Sequence, residues 1–464
     1  MNQYMDKIEA FLKENEQNFI RDIQTLVRIK SVSEPESKTV PFGQGCRDAL
    51  DKALEMGMQM GFDTQNYEYY CGSISFGKQQ KDIAFWAHLD VVPEGEGWSS
   101  PPYAAEYRDG FIIGRGTDDN KGAAVMALYL MKFLKEYEIP MNYQIRLMLG
   151  CNEECGMNDI AYYLSHYKAP YLSLIADTSF PVCYGEKGIY EANLAFSSAN
   201  GNLLEFRAGL VSNVVPAKAI VKVKNITGTK SLPSTEWITP SIDGDIITIE
   251  AAGISAHAAW PDKGKNAIGN AVDYLLLHNL LSPNLIPAFT FIQHATNTYH
   301  GEAYGIESED EISGALTCNS GMLHLQDETL TLNLNIRYPI SDDGEKITAA
   351  IKKAIAPSGG ILISYDDNKP SYFEKEHPAV SMLTQIYNEC AGDKKEPYTM
   401  GGGTYARKLP NAFAFGPGLK GPKMELPAGH GGAHQPDEYI SIETFKNGLK
   451  IYIMSILKLN EIEL

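Results

Sequence analysis

Ile83 to Gly122, IAFWAHLDVVPEGEGWSSPPYAAEYRDGFIIGRGTDDNKG, is the stretch from which the fold is read. Ile83 to Ala87 is apolar, with aromatic and β-branched residues as a buried strand requires, and the run stops at His88-Leu89-Asp90. Side chains two apart on a strand share a face, so His88 and Asp90 project together from its end. A Pro-, Gly- and Ser-rich excursion follows. The chain then turns in a predicted hairpin at Asp109-Gly110 and reaches Gly114-Arg-Gly-Thr-Asp-Asp-Asn-Lys-Gly122 ahead of an apolar helix. A second carboxylate, Asp119, is thus delivered to a turn that opens a helix.

Upstream lie an amphipathic N-terminal helix and a second helix from Gly45 to Met60. Downstream, Lys121 to about Tyr137 is predicted helical and apolar nearly all round, which calls for packing against a sheet. Tyr143 to Leu149 alternates as a strand and meets Asn152-Glu153-Glu154-Cys155-Gly156; a short helix precedes a strand from Tyr171 to Ala176 that ends at Asp177. Alternating strands and helices predict a parallel sheet covered by helices, whose ligands bind beyond the carboxyl ends of the strands. His88, Asp90, Asp119, Glu153, Glu154 and Asp177 converge at that edge, too many like charges to remain ionised together unless cations neutralise them.

Near Tyr184-Gly-Glu-Lys-Gly188 the texture changes to strand-rich alternation that persists to about Tyr372. In Leu330 to Arg337 the leucines and Ile336 share one face, and Thr331, Asn333, Asn335 and Arg337 share the other, a face that is either solvated or lines a site. Helix returns at Ala379 to Ala391. It is followed by Met400-Gly-Gly-Gly-Thr-Tyr-Ala-Arg407, a strand from Ala412 to Gly416, the loop Gly429-His-Gly-Gly-Ala-His-Gln-Pro-Asp-Glu438 and a last helix from Ile442 to Leu457. The expected fold is α/β: a helix-covered, mostly parallel sheet forms a discontinuous catalytic domain, residues 1–187 and 376–464, and 188–375 is an inserted α+β lid, long enough for two subunits.

A chain of 464 residues with 44% hydrophobic and 21% charged residues suits two ordinary globular domains. Its net charge of −18 excludes a broad basic footprint for nucleic acid or an anionic membrane, and serves solubility or cation binding. No apolar run approaches the ~20 residues of a membrane span. Seven scattered cysteines without a CxxC pair suit the cytoplasm, and Cys151 and Cys155 read as small packing residues.

Neutral imidazole and carboxylate are ligands for zinc and similar divalent ions. His88, Asp119, Glu154, Asp177 and His434 supply five, with Asp119 the natural bridge between two ions. Glu153 is then left as general base and acid, and Asp90 is placed to hydrogen-bond the far nitrogen of His88. Each residue has a plainer reading: a strand-end histidine as a satisfied core group, Glu153-Glu154 as a solvated turn, the glycines and Lys121 as a phosphate cradle. The last lacks Walker or GxGxxG spacing and carries two aspartates that repel phosphate.

His88-Leu-Asp90, Gly116-Thr-Asp-Asp-Asn-Lys-Gly122, Glu153-Glu154, Asp177 and the late His434, in this order, resemble the M20 family of di-metal peptidases over essentially the whole chain. The tail Gly401 to Arg407, the segment Ala433 to Glu438 and the long insertion look most like the PepV-type dipeptidases of that family. The resemblance implies hydrolysis of unblocked dipeptides by a two-metal-activated water, with zinc first and manganese as the alternative ion. It assigns His88 and Asp177 to one metal, Glu154 and His434 to the other, Asp119 to both, and proton transfer to Glu153. In the lid, Gly253 to Pro261 resembles the motif whose histidine polarises the scissile carbonyl, here His257, which taken alone reads as a loop histidine. Asn213, in Asn-Val-Val-Pro, and Arg337 match substrate-holding positions, with backbone contacts from the loop of Gly402 and Thr404. Lid closure onto substrate and a monomeric state are implied in the same way. Removal of an N-acyl group from an amino acid, carboxypeptidase trimming, and metal binding without catalysis are the other readings.

Overall fold

The computed structural model describes residues 2–464, with side chains from Tyr4 onward. The chain forms two compact units: the first runs to Tyr184 and resumes over Tyr372–Tyr398 and Thr404–Leu464, and the second comprises Gly185–Ser371 and Thr399–Gly403. Residues 399–403, which the sequence predicts to lie in the catalytic domain, group with the second unit. Lys187 N donates to Met400 O at 2.9 Å, Thr399 Oγ1 to Ile312 O at 2.9 Å and Arg337 Nη1 to Gly401 O at 3.0 Å.

In the first unit the sheet runs, in spatial order, Asp63–Tyr67, Cys71–Phe76, Gln144–Gly150, Asp82–His88, Leu172–Ile175, Ala412–Phe415 and Val182–Glu186. The four strands from Gln144–Gly150 to Ala412–Phe415 are parallel, flanked by antiparallel neighbours. Register aligns His88 with Gly150 and Trp86 with Ile175, so three strands end at one edge of the sheet. The loops that carry Asp90, Glu153-Glu154 and Asp177 therefore leave from adjacent positions.

Helix Lys121–Glu136 packs on strand Asp82–His88 and also against helices Asn2–Val27 and Ile442–Leu459. That sandwiching is why its residues are apolar on every side. Helix Ile442–Leu459 stacks Phe445 on Phe19 with ring centroids 4.7 Å apart, and its outer lysines 446 and 450 pair with Glu16 and Glu9 at 2.7 Å. The predicted hairpin is formed by Glu106–Arg108 and Phe111–Ile113, turning through Asp109 (φ 51°) and Gly110 (φ 86°); two positive φ values in succession match the twist of the strands. Tyr439–Ser441 pairs beside it, tying the C-terminal loop to the hairpin.

The second unit is an eight-stranded antiparallel sheet in the order Ile238–Asp243, Ile246–Ala252, Lys218–Lys224, Leu203–Ala208, Thr317–Gln326, Thr329–Tyr338, Gly188–Ser197, Ile361–Asn368. Helices Ala267–Leu277, Ile286–Asn297 and Gly344–Ile355 share a core with it in which Leu330, Leu332, Leu334 and Ile336 are buried. The opposite face of strand Thr329–Tyr338 is not solvated: Asn333, Asn335 and Arg337 are 5%, 0% and 6% exposed. All seven cysteines are free, and among the described residues no helix is long and apolar enough to cross a membrane.

Candidate metal centre

His88 closes its strand as a buried residue. Its Nδ1 donates to the main-chain carbonyl of Asp90 at 2.9 Å, which turns Nε2 toward Asp119 Oδ1, also at 2.9 Å. The sequence predicts the Asp90 carboxylate as the partner of that ring; the carboxylate lies 3.5 Å from Nδ1, with the residue's own main-chain carbonyl closer, and it also accepts from the amides of Glu153 and Glu154, each at 3.1 Å. Amides at the start of a tight turn are otherwise orphan donors, and a charged acceptor binds them more strongly than a carbonyl does. Asp90 thus orients both the imidazole and the Glu153-Glu154 turn.

Asp119 presents one oxygen to each side. Oδ1 faces Nε2 of His88 at 2.9 Å and Oδ2 faces Nε2 of His434 at 3.0 Å. His434 also meets Glu154 Oε1 at 3.2 Å, and Asp177 Oδ1 lies 3.9 Å from His88 Nε2. Asn120 clamps this corner, donating to Ala176 O and Asp177 Oδ1 and accepting from the amide of His88. Ligand atoms of His88, Asp119 and Glu154 lie within 4.8 Å of one another, and so do those of His88, Glu153 and Asp177. Imidazole nitrogen with carboxylate oxygen is the donor set of zinc and manganese, so the residues present fit such ions. His430, four residues from His434, is occupied instead by Asp437 Oδ2 at 2.7 Å.

The electrostatics follow from that crowding. The Asp119 and Glu154 carboxylates push the His434 imidazole up to about 10. For His88 burial acts downward, yet Asp119 and Asp90 outweigh it and raise the ring well above its ordinary value. Asp119, although buried, is held below the usual carboxylate range by the two imidazoles. Burial, reinforced by Asp177, pushes Glu153 well above it. What separates Glu153 from its neighbour is its Oε1, buried with no hydrogen-bond partner among the described residues.

Sequence reasoning misses two supports. Glu438 is fully buried; its Oε1 accepts from the amides of Gly116, Asp118 and Asp119 at 3.0, 2.9 and 3.1 Å, and its Oε2 accepts from Arg115 Nη1 at 2.5 Å. It fixes the turn of Asp119 from the loop that carries His434. Asp159 accepts from the amides of Cys151 and Asn152 at 2.8 and 3.0 Å and from the hydroxyl of Tyr405, holding the strand end before Glu153. The only sequence signal for Glu438 is its place in the Gln-Pro-Asp-Glu run after His434. Cys151 is buried as a packing residue; Cys155 is exposed, because the turn that points the two glutamates inward leaves the next residue outside.

In the second unit, the exposed His257 and the half-buried Asn213 are brought together: Ala258 N donates to Asn213 O at 2.9 Å and Val215 N to Ala256 O at 2.8 Å. His257 Nδ1 accepts from Ala259 N at 3.1 Å, which makes Nε2 the protonated nitrogen of the neutral ring. Arg337 Nε donates to Asn335 Oδ1 at 2.9 Å. Gly402 lies in the same unit, whereas Thr404 lies in the first, its hydroxyl capping the turn Tyr405–Arg407 through Ala406 N.

Residues 84–458 match the sequence model of Peptidase family M20/M25/M40. "Putative dipeptidase YtjP" of Bacillus subtilis (strain 168) is 33% identical over 96% of this chain and 97% of its own length. The Beta-Ala-Xaa dipeptidase of Lactobacillus delbrueckii subsp. lactis is 29% identical over 96% of each chain. Among solved structures, the di-peptidase Dug1p from Saccharomyces cerevisiae superposes with a TM-score of 0.59 over 100% of both chains at 14% identity, a likeness of fold.

Proposed function

The chain belongs to peptidase family M20/M25/M40, and from that premise we propose that it is a cytoplasmic, monomeric dipeptidase that hydrolyses unblocked dipeptides at a two-metal centre. The observation that carries the reading is Asp119, whose two oxygens face Nε2 of His88 and Nε2 of His434 as a carboxylate shared by two ions requires. His88 and Asp177 would hold one ion with it, and Glu154 and His434 the other. Zinc fits this donor set, with manganese the alternative. When bound, such ions act as Lewis acids toward the scissile carbonyl and make water acidic enough to serve as nucleophile near neutral pH.

The chain's own groups carry the protons. Glu153 takes a proton from the attacking water as oxygen bonds to the carbonyl carbon, and returns it to the amine nitrogen as the C–N bond breaks, giving two free amino acids. A carboxylate raised by burial, with one oxygen left without a hydrogen-bond partner among the described residues, is suited to both halves of that exchange. His257, protonated on Nε2, is read as the donor to the oxygen that gains charge. Arg337, Asn213 and the backbone around Gly402 and Thr404 are read as the holders of the substrate's carboxylate end, for which a planar guanidinium is matched.

The test uses metal-stripped protein reloaded with zinc or manganese, following amino-acid release from one dipeptide in its free and N-acetylated forms. Metal-dependent cleavage of the free form is expected, with Glu153→Ala lowering kcat by roughly 10² to 10⁴ while still binding metal. Cleavage of the acetylated form alone would replace the substrate class with a deacylase's, and undiminished activity of Glu153→Ala would remove the proton-transfer assignment.

A further inference from the structure

The face of the second unit's sheet that bears Arg337 carries a line of hydrogen bonds for which the catalytic reading has no use. Arg337 Nε donates to Asn335 Oδ1 at 2.9 Å; Asn335 Nδ2 donates to Glu191 Oε1 at 2.8 Å; Ser212 Oγ donates to that same oxygen at 2.9 Å. Asn319 Nδ2 adds a bond to Ser212 O at 3.0 Å. Register accounts for the row: Glu191 and Asn319 lie directly opposite Asn335 on the strands to either side, and Arg337 follows two residues along on the same face. Asn335 and Asn319 are 0% and 2% exposed. Apolar side chains fill such a position at no desolvation cost, so a buried amide row ending on a carboxylate calls for a reason beyond packing.

The row has two ends. One is the guanidinium of Arg337, held again by Nη1 on Gly401 O at 3.0 Å. The other is Ser212, whose neighbour Asn213 accepts from Ala258 N beside His257. Glu191 is therefore the side chain through which the Arg337 strand and the Asn213–His257 loop are tied. Each of the two donors on its Oε1 comes from a different one of these segments.

We propose that Glu191 is a positioning residue that sets the spacing between the Arg337 guanidinium and the Asn213 amide, and so restricts the enzyme to substrates whose free carboxylate lies one residue beyond the scissile bond. This rests on the dipeptidase reading, in which Arg337 and Asn213 hold the substrate. The carboxylate has a second effect: its charge lies along the chain of amides behind Arg337, opposing rotation of the guanidinium away from its site.

The experiment measures kcat and KM for one dipeptide and for its C-terminal amide, in the wild type, Glu191→Gln and Ser212→Ala, each checked for an intact thermal transition. The wild type is expected to prefer the free carboxylate. Glu191→Gln should raise KM for the free dipeptide about tenfold with kcat within about twofold, and leave KM for the amide unchanged, the size of effect that loss of a charge-assisted contact gives. Ser212→Ala, which removes one donor and keeps the carboxylate, should shift KM in the same sense by less, and carries the test if Glu191→Gln fails to fold. A free-to-amide KM ratio equal to that of the wild type in the folded variants would overturn the proposal while leaving the dipeptidase reading in place. A wild type indifferent to amidation would overturn the carboxylate reading and this proposal with it.

Discussion

Glu153 and Glu154 are neighbours whose environments differ in kind: Glu154 Oε1 meets an imidazole, whereas Glu153 Oε1 is enclosed without a hydrogen-bond partner among the described residues. Their residue type is legible in the chain, and the placement of both in one cluster is set by the amide bonds to Asp90 and the anchor at Asp159, which no local pattern reveals. The residue after them inherits a consequence. Cys155 is exposed while Cys46, Cys71, Cys151, Cys183 and Cys318 are buried. Partial burial, with Asp90, Glu154 and Glu153 nearby, holds its thiol above the ordinary value. Since the thiolate is the nucleophile, a limiting amount of a maleimide is expected to label Cys155 before the other cysteines, slowly at neutral pH and faster as the pH rises past the ordinary thiol range. Peptide mapping by mass spectrometry checks this, and either first labelling elsewhere or a rate flat with pH would contradict it.

Among elements, strands and helices announce themselves because their periodicities are local. The strand Asp82–His88, the hairpin at Asp109-Gly110 and the helix from Lys121 are all readable from a few adjacent residues. The loop from Gly429 to Glu438 is not, since its structural meaning depends on a turn 322 residues earlier, where Gly116 N donates to Glu438. That loop does two jobs, bringing His434 to Asp119 and neutralising the orphan amides of the turn in which Asp119 sits. Supports of this kind typically contribute a factor of ~10 to 100 in metal affinity. Glu438→Gln, which keeps the volume and removes the charge, is therefore expected to weaken binding of divalent ions by about that factor in a titration calorimeter. It should also lower the thermal midpoint, because Arg115 is left buried without its carboxylate. Unchanged ion affinity would show that the Asp119 turn holds itself.

At the scale of the molecule, the shift from alternating strand and helix to strand-rich texture near Tyr184 coincides with the start of the second unit, but texture does not say which distant segments must meet. The second unit is nearly contiguous, and its core, from Tyr190 to Ile355, lies wholly within Gly185–Ser371. The first unit has no such independence. Strand Ala412–Phe415 pairs in parallel with Leu172–Ile175, and helix Ile442–Leu459 buries Phe445, Leu449, Tyr452 and Ile456 in the same core as Phe19 and Phe85. A fragment ending at Tyr184 would leave that core open on one side, with a sheet edge and an apolar helix surface facing water. Residues 185–371 expressed alone are accordingly expected to melt in one cooperative transition, and residues 1–184 to show none. The two units also differ in the metal ligands proposed above, since His88, Asp119, Glu154, Asp177 and His434 all belong to the first. An ion that binds only the folded state raises its midpoint in proportion to the logarithm of concentration. Zinc or manganese should therefore raise the transition of the full chain and leave that of 185–371 unmoved. A metal-dependent shift in the isolated fragment would place a binding site in the second unit and break the assignment of all five ligands to the first.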